Sequence, residues 1–333
     1  MGKLSTRDLR KLLNCIKKDE RVVIPPMPGF DSGVHLLGDK YLVVSTDPCL
    51  GVPEKWFGYL LIHYAASDVA LFGAKPEFCT INLLGPLSSK PQTFQKIMKL
   101  ACSAAGELRL AIVTGHTGTY EGLEAPVGVC TAYGTVEKSK LVTPAGAKAG
   151  DCIFCIKPVA LETIVNFALT NKDLASKLFG RKRTEELADL VPMQSCVNET
   201  LLLAETGGVH AMHDATEGGL TAALNEMAEA SGVGFKIEFE NIPFCKEALK
   251  LQQHFKLSDI QLLSMSSTGT FLASVSEEAK SEIEKILRQK NIAFSILGQF
   301  TADTKKVMSK REAQTLFPRV ARDPYTKILS GKV

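Results

Sequence analysis

Apolar and polar residues alternate along the first 137 residues in the way that is typical of strands and amphipathic helices. Four apolar runs have the length and composition of strands, and a fifth is possible. They are VVIPP, HLLGDKYLVVSTD, EFCTINLLGP, LAIVTGHTG and, as the possible fifth, VGVCTAYGTV. Apolar side chains at helical spacing predict two helices between them, over residues 56–72 and 93–107.

From residue 152 onward, strand and helix patterns alternate, which predicts a second α/β domain. The strand patterns are CIFCIKPV, VHAMHD, GFKIEF, TGTFLASV and AFSILGQF, and helices are expected around 160–170, 184–190, 195–206, 244–256 and 277–290, and after Glu217. The stretch KSKLVTPAGAKAGD is rich in Lys, Gly, Ala and Pro and separates the two halves. We therefore predict an N-terminal domain over residues 1–137, a linker over 138–151 and a C-terminal domain over 152–333.

The composition is that of a folded protein without a nucleic-acid or membrane role. Apolar residues make up 45% of the chain, charged residues make up 23%, and the formal net charge is only +3. The basic run Arg181-Lys182-Arg183 has no interleaved aromatic residues, so a solvated helix start is preferred to a nucleic-acid patch. The N-terminus predicts an amphipathic helix with Ser5 or Thr6 as N-cap and lacks the apolar core of a signal peptide. Since no run of 18 apolar residues exists, we predict a cytoplasmic protein.

Cysteine usage favours buried thiols over metal or redox chemistry. The nine Cys lie mostly within apolar runs, which indicates a reducing compartment. Cys152 and Cys155 form a C-x-x-C, but a strand places them on opposite faces, and neither a second pair nor a nearby His completes a metal site. A core strand is therefore the preferred interpretation.

The segment MHDATEGGLTAALNEMAEASG carries the strongest local signal for chemistry. The strand GVHAM leads into it, and apolar residues from Leu220 onward repeat at helical spacing, so residues 214–219 form a strand-to-helix turn. Two glycines in such a turn let an anion approach backbone N–H groups at the positive end of the helix. One interpretation is a phosphate site, with Asp214 and Glu217 near a metal; the other is a capped helix after a tight glycine turn.

Three acidic residues, Asp31, Asp47 and Asp68, lie near predicted strand or helix ends. Magnesium bound with nucleotide phosphates takes carboxylate oxygens as ligands. Asp47 follows an apolar run and is either a strand-end ligand or the start of a turn. Asp68 lies within an otherwise apolar helix, where an unpaired buried carboxylate is costly. His116 follows a strand and a glycine, and by itself is equally well explained as a structural residue.

The order of these motifs resembles the aminoimidazole ribonucleotide synthetase superfamily. The resemblance covers nearly the whole chain and rests on an N-terminal GKL helix, the turn PPMPGFDSGV with Asp31, and then STD, SDVALFGAKP, TGHT and HDATEGGLTAALNEMAEASGVG. Within the superfamily, the chain is most similar to the hydrogenase maturation factor that dehydrates a thiocarboxamide and to its archaeal relatives. Thiamine monophosphate kinase and selenophosphate synthetase are more distant members.

The resemblance implies a two-domain α/β protein, α+β in its first domain, whose first domains pair in a homodimer to form a shared β-barrel. It implies ATP and magnesium as cofactors, and phosphoryl transfer to an oxygen or similar atom of a small or protein-borne substrate. The implied catalytic residues are Asp47, His116 and Asp214, and the implied metal ligands are Asp31, Asp47, Asp68 and Asp214. The implied nucleotide contacts are Gly29, Asp31, Thr46, Asp47, Asp68, a loop of Thr114, Gly115 and His116, and then Thr216, Gly218 and Gly219.

The sequence also departs from its relatives. The maturation factor ends in a cysteine that receives the carbamoyl group, whereas this chain ends DPYTKILSGKV, so that reaction is not expected by the usual route. Phe30-Asp31 replaces an acidic pair, and His116 replaces the aspartate of a TGDT loop. Because magnesium prefers oxygen, His116 is expected to contact phosphate. Cys15 lies in a helix pattern without the glycine-rich loop of the selenophosphate synthetase cysteine, and we expect it to be buried.

Two functions are therefore predicted as alternatives. The first is an ATP-dependent phosphotransferase, which the acidic set and the HDATEGG motif favour. The second is a catalytically weak, nucleotide-sensing paralogue that acts as a partner or scaffold in a maturation pathway, which the missing terminal Cys and Phe30 favour. A nucleotide-free structural dimer is a third possibility, but it leaves Asp68 unexplained.

Overall fold

The computed structural model describes residue 4 and residues 6–332. Gly2 and Lys3 of the GKL motif and the predicted N-cap Ser5 lie outside the described residues. The chain divides into two compact units. The N-terminal unit comprises Arg10–Leu141, and the C-terminal unit begins at Val142 and also includes the start of the first helix up to Leu9. The division falls within the predicted linker, and Asp151 at its end is buried and accepts a hydrogen bond from Ser274 Oγ at 2.6 Å.

The N-terminal unit is a six-stranded sheet with helices. The elements of this part of the chain are α1 (Thr6–Leu13), β1 (Val22–Ile24), β2 (Gly33–Leu37), β3 (Lys40–Leu50), α2 (Glu54–Leu71), β4 (Phe78–Pro86), α3 (Pro91–Leu108), β5 (Ala111–Tyr120) and β6 (Val127–Glu137). The strand order is β1-β2-β3-β6-β4-β5, and only the β4 and β5 pair is parallel. The run predicted as one strand over residues 35–47 is in fact a hairpin, because Gly38 adopts a φ of +61° and turns the chain.

Helix α2 covers one face of this sheet. A Cβ atom on Gly128 of β6 would meet Phe57 and Leu61 of α2, so Gly128 faces the helix. Side chains alternate along a strand, so Val129 and Tyr133 lie on the opposite face, where they are half-buried. We call this surface, opposite α2, the distal face.

The C-terminal unit is built around a seven-stranded sheet. Its elements are β7 (Cys152–Ile156), α4 (Leu161–Thr170), α5 (Lys172–Phe179), α6 (Arg181–Ala188), α7 (Val197–Thr206), β8 (Val209–Asp214), α8 (Gly219–Ser231), β9 (Gly234–Glu238), α9 (Lys246–His254), α10 (Asp259–Leu263), β10 (Phe271–Val275), α11 (Glu277–Gln289), β11 (Phe294–Thr301), β12 (Lys306–Lys310), β13 (Ala313–Leu316) and α12 (Tyr325–Leu329). The strand order is β13-β12-β9-β11-β7-β10-β8, and the neighbours are antiparallel except for β9 and β12.

Several local predictions are tested by these elements. Cys152 and Cys155 are both buried in β7, which confirms the core-strand interpretation. Arg181 begins α6, which confirms the helix start. The prediction that Cys15 is buried was wrong: α1 ends at Leu13, and the Cys15 thiol beyond it is exposed. None of the described helices has the length and apolarity that crossing a bilayer requires.

Candidate functional site

A serine links two of the predicted carboxylates in the N-terminal unit. Ser45 Oγ, in β3, lies 2.7 Å from Oδ2 of Asp68 and 2.9 Å from the carbonyl oxygen of Asp31. Asp68 is only 5% exposed, although it lies in the apolar helix α2. A buried carboxylate is tolerated where a hydrogen-bond donor faces it, and Ser45 is such a donor. The structure thus brings Asp68 next to the Asp31 turn.

Asp47 lies on the same strand face as Ser45, because it is two residues further along β3, a rise of about 7 Å. It is paired in register with Cys130 of β6. Burial, and then the negative charge of Asp47, raise the pKa of the Cys49 thiol to about 12. A further negative charge next to Asp47 is therefore disfavoured.

The candidate ligands of the N-terminal unit are hard oxygens. Ser32 Oγ, next to Asp31 in the chain, is buried and has no hydrogen-bond partner among the described residues. Leaving a buried hydroxyl unpaired costs about 1–3 kcal/mol, which a bound ligand would offset. Carboxylate and hydroxyl oxygens are ligands that magnesium takes in proteins, so this set fits magnesium.

The predicted nucleotide contacts divide between the two faces of the N-terminal sheet. Thr46 precedes Asp47 in β3, so its side chain lies on the distal face, where its Oγ1 accepts a hydrogen bond from Thr131 Oγ1 at 2.9 Å. The strand register places four threonines side by side on four neighbouring strands, in the order Thr46, Thr131, Thr80 and Thr114. Thr46 and Thr114 thus share the face opposite α2, and the structure does not group them with Asp47 and Asp68.

The strand predicted over LAIVTGHTG is confirmed and extends to Tyr120, so residues 114–116 lie in β5 and not in the loop that the resemblance implied. Gly115 has a packing role there, since a Cβ atom would collide with the carbonyl oxygen of Ile81 in the neighbouring strand. His116 is exposed, and its Nε2 lies 2.6 Å from the hydroxyl oxygen of Tyr120. The imidazole is thus held on an exposed strand, a position from which it can contact a ligand.

The turn before Asp31 has a local structural basis. Gly29 has a φ of +79°, a conformation that favours glycine. Phe30, which replaces an acidic residue of the family pattern, packs edge to face against Phe72 with 6.3 Å between ring centroids. Phe30 therefore anchors the turn to the end of α2.

The HDATEGG motif forms the predicted strand-to-helix turn in the C-terminal unit. Asp214 ends β8, and α8 begins at Gly219. Gly218 and Gly219 have φ values of +83° and +54°, and the Gly219 N–H donates to the carbonyl oxygen of Thr216. Nε2 of the buried His213 lies 2.7 Å from Oε2 of Glu226 in α8. The histidine thus ties the strand to the helix that follows the turn.

Sequence reasoning missed the carboxylate that contacts this turn. The backbone N–H of Gly218 donates to Oδ2 of Asp323 at 3.0 Å, and Ser266 Oγ donates to the same oxygen at 2.6 Å. The other oxygen, Oδ1, accepts from the N–H of Tyr325 at 2.9 Å. The Asp-Pro pair before α12 is a sequence signal for a turn, but it does not show that Asp323 lies against Gly218.

A second acid lies close to the turn. The pKa of Glu162, in α4, is raised to about 7, chiefly because the side chain is buried; hydrogen bonds from Thr268 oppose this rise, and the nearby charges of Asp323 and Glu217 add to it. The Thr268 hydroxyl lies 2.5 Å from Oε2 of Glu162. Glu162 therefore changes its charge near neutral pH.

Profiles of one known family match both units. The profile of the N-terminal domain of AIR synthase related proteins matches residues 29–136, and that of their C-terminal domain matches residues 148–310. The chain belongs to the AIR synthase related protein family. The two matched domains occur in the order that the motifs implied.

Individual relatives of this AIR synthase related protein agree with that assignment. A putative hydrogenase expression/formation protein of Methanocaldococcus jannaschii is 27% identical over 288 residues, which cover 84% of this chain and 81% of the relative. A selenide, water dikinase of Bdellovibrio bacteriovorus is 25% identical over 336 residues, covering 90% of this chain and 91% of the relative. The crystal structure of the hydrogenase maturation protein HypE in complex with ATP has a TM-score of 0.67 at 18% identity, covering 95% of this chain and 91% of that chain. The two-domain α/β fold is therefore confirmed.

Proposed function

We propose that this AIR synthase related protein binds ATP with magnesium and transfers a phosphoryl group to an oxygen or similar atom of a small or protein-borne substrate. The observation that carries the proposal is the acidic set of the N-terminal unit, in which Ser45 lies between Asp68 and the Asp31 turn, with Asp47 on the same strand face. The names of its relatives support it, since one is a dikinase and the HypE structure contains ATP.

Asp31, Asp47 and Asp68 are the residues that would hold magnesium, with the Ser32 hydroxyl as a further oxygen donor. Asp68 already accepts a hydrogen bond from Ser45, but an ionised carboxylate has further lone pairs for a ligand. When bound, magnesium neutralises phosphate charge and orients the transferring group. Removing one carboxylate from such a set weakens magnesium binding, and with it both the charge neutralisation and the orientation of the phosphoryl group.

The other proposed residues act by position and hydrogen bonding. Exposed His116 and Thr114 on β5 offer an imidazole and a hydroxyl to phosphate oxygens. In the C-terminal unit, Thr216, Gly218 and Gly219 offer a glycine-rich turn at the positive end of α8, and Asp214 is kept as a ligand candidate. Phosphoryl transfer requires little covalent chemistry from a protein, so positioning and charge stabilisation suffice.

Pairing of the N-terminal units in a homodimer is part of the proposal. On the distal face, Phe78 is 43% exposed and its ring stacks on Tyr133 at 5.7 Å between centroids. Strand β5 ends the sheet and is exposed along most of its ten residues. Long exposed edge strands and apolar faces are surfaces that other chains cover, and a second copy has the matching surface.

Phosphate release from ATP tests the proposed activity. It is measured with magnesium, with and without selenide as the acceptor, for wild type, Asp47→Asn and the control Asp39→Asn, an exposed residue of the hairpin between β2 and β3. We expect release by wild type and the control, and at least about a tenfold loss in Asp47→Asn, since a charged contact contributes about 1.5–3 kcal/mol.

Two results would contradict the proposal. Equal phosphate release by all three proteins would show that the activity does not require the Asp47 carboxylate. Magnesium-dependent ATP binding without any release would favour the nucleotide-sensing alternative over phosphoryl transfer.

A further inference from the structure

The glycine turn of the C-terminal unit already holds an anion that belongs to the chain. Asp323 Oδ2 accepts hydrogen bonds from Gly218 N–H and Ser266 Oγ, at 3.0 and 2.6 Å. A Cβ atom on Gly218 would lie 3.0 Å from the Cβ atom of Ala321, so the segment before Asp323 runs directly over the turn. The turn precedes α8, a helix of 13 residues, whose positive end favours a negative charge.

A phosphate at this turn and Asp323 would use the same N–H donor. A phosphate needs the backbone N–H of Gly218 free, and two anions on one donor would repel each other. Asp323 is itself exposed, so water and dissolved anions reach its carboxylate. A ligand can therefore replace the Asp323 carboxylate at Gly218 without disrupting the packing of buried apolar side chains.

The chain around Asp323 is anchored by apolar side chains at both ends and by hydrogen bonds between them. Phe317 and Ile328 are 3% and 0% exposed, and each belongs to a hydrophobic core cluster of the C-terminal unit. Between them, Val320 is 70% exposed, the Pro318 carbonyl oxygen accepts a hydrogen bond from Asn225 Nδ2 at 2.8 Å, and the Arg322 N–H donates to Ser264 Oγ at 3.1 Å. Displacement of residues 318–323 would break hydrogen bonds but would leave the buried side chains of Phe317 and Ile328 packed.

We propose that residues 318–323 form an autoinhibitory strap, in which Asp323 occupies the glycine turn until a phosphate group displaces it. The proposal rests on the proposed function, in that a phosphate group is the ligand of the turn. The strap lowers the apparent affinity of the turn for phosphate, because only the fraction of molecules with Asp323 displaced is competent to bind. It also couples phosphate binding to movement of the C-terminal segment.

The test uses the full chain and inorganic phosphate as the probe. Phosphate affinity is measured by calorimetry for wild type, Asp323→Ala, Asp323→Asn and the control Asp173→Ala, an exposed Asp in the first turn of α5. We expect about tenfold tighter binding by Asp323→Ala, because a competing charged hydrogen bond is removed. Asp323→Asn keeps an acceptor without the charge and should fall between Asp323→Ala and wild type, and the control should match wild type.

Hydrogen exchange provides a second readout that does not depend on activity. Adding phosphate to wild type should speed exchange in a peptide covering residues 318–323, and Asp323→Ala should show fast exchange there without phosphate. Equal phosphate affinity in wild type and both Asp323 variants would overturn the strap. So would a segment whose exchange stays unchanged when phosphate binds, or a failure of all the proteins to bind phosphate. Asp47-dependent binding of ATP, measured in parallel, tests the proposed function separately.

Discussion

Glu162 is an acid whose environment in the C-terminal unit raises its pKa from the ordinary 4.5 to about 7. Between these two values, the folded chain binds more protons at this position than the unfolded chain. The stability that the protonated Glu162 contributes is therefore complete below pH 4.5 and is lost as the pH rises through about 7.

Replacing Glu162 by Gln should remove this pH dependence, because an amide stays neutral and still accepts the Thr268 hydroxyl hydrogen. We expect Glu162→Gln to gain about 3 kcal/mol of unfolding free energy over wild type at pH 8, and little at pH 4.5. Urea unfolding at both pH values measures this difference, with Glu205→Gln, an exposed residue of α7, as the control. A difference that is the same at both pH values would show that the charge of Glu162 is not the cause.

At the residue scale, the sequence indicates which side chains are unusual, but not what they contact. An acid in an apolar helix singled out Asp68 before its surroundings were known. Its partner Ser45 is 23 positions away, and Asp323 is 105 positions from Gly218. Contacts over such separations depend on tertiary packing, which a local pattern does not contain.

At the element scale, strands and helices were predicted best where their apolar patterns are long. Helices α2 and α3 and strands β4 and β6 lie where the patterns placed them. The helices α5, α10 and α12 and the β12–β13 hairpin were missed, because short elements give few periodic positions. The pattern LAIVTGHTG predicted β5 through His116, whereas the resemblance implied a loop there, which the pairing of β5 with β4 contradicts.

The distal face of the N-terminal sheet is where a dimer should be disrupted most easily. Val129 is half-buried there, in register with Pro48 and Asn82 of the two neighbouring strands. We expect Val129→Arg to convert a wild-type dimer into a folded monomer, because burying an unpaired charge at an interface is costly. Size-exclusion chromatography with light scattering measures the mass of each species.

The control for this experiment is Leu249→Arg, which puts the same charge at a residue of α9 that is 46% exposed. It should leave the dimer intact. A monomeric wild type, or a dimer that persists in Val129→Arg with the fold intact, would count against pairing through the distal face.

At the scale of the whole molecule, the order of the motifs predicted the family and the two-domain fold, although no single motif did. Asp31, Asp47, Asp68 and the HDATEGG turn occur in the sequence order of the superfamily, and the matched domains span residues 29–136 and 148–310. The grouping of Thr114 with Thr46 on one sheet face was not predictable, because it depends on strand register, whereas the separation of Thr46 from Asp47 follows from side-chain alternation along β3. Thr46 and Asp47 are neighbours in sequence but point to opposite faces of β3.

The central claim is that the acidic set of the N-terminal unit binds ATP together with magnesium. The most direct measurement is calorimetric titration with ATP of wild type in the presence of magnesium, of wild type without magnesium, and of Asp47→Asn with magnesium. We predict binding in the first titration and at least about a tenfold weaker affinity in the other two, corresponding to about 1.4 kcal/mol or more. The same affinity in all three titrations, or no binding in the first, would contradict the claim.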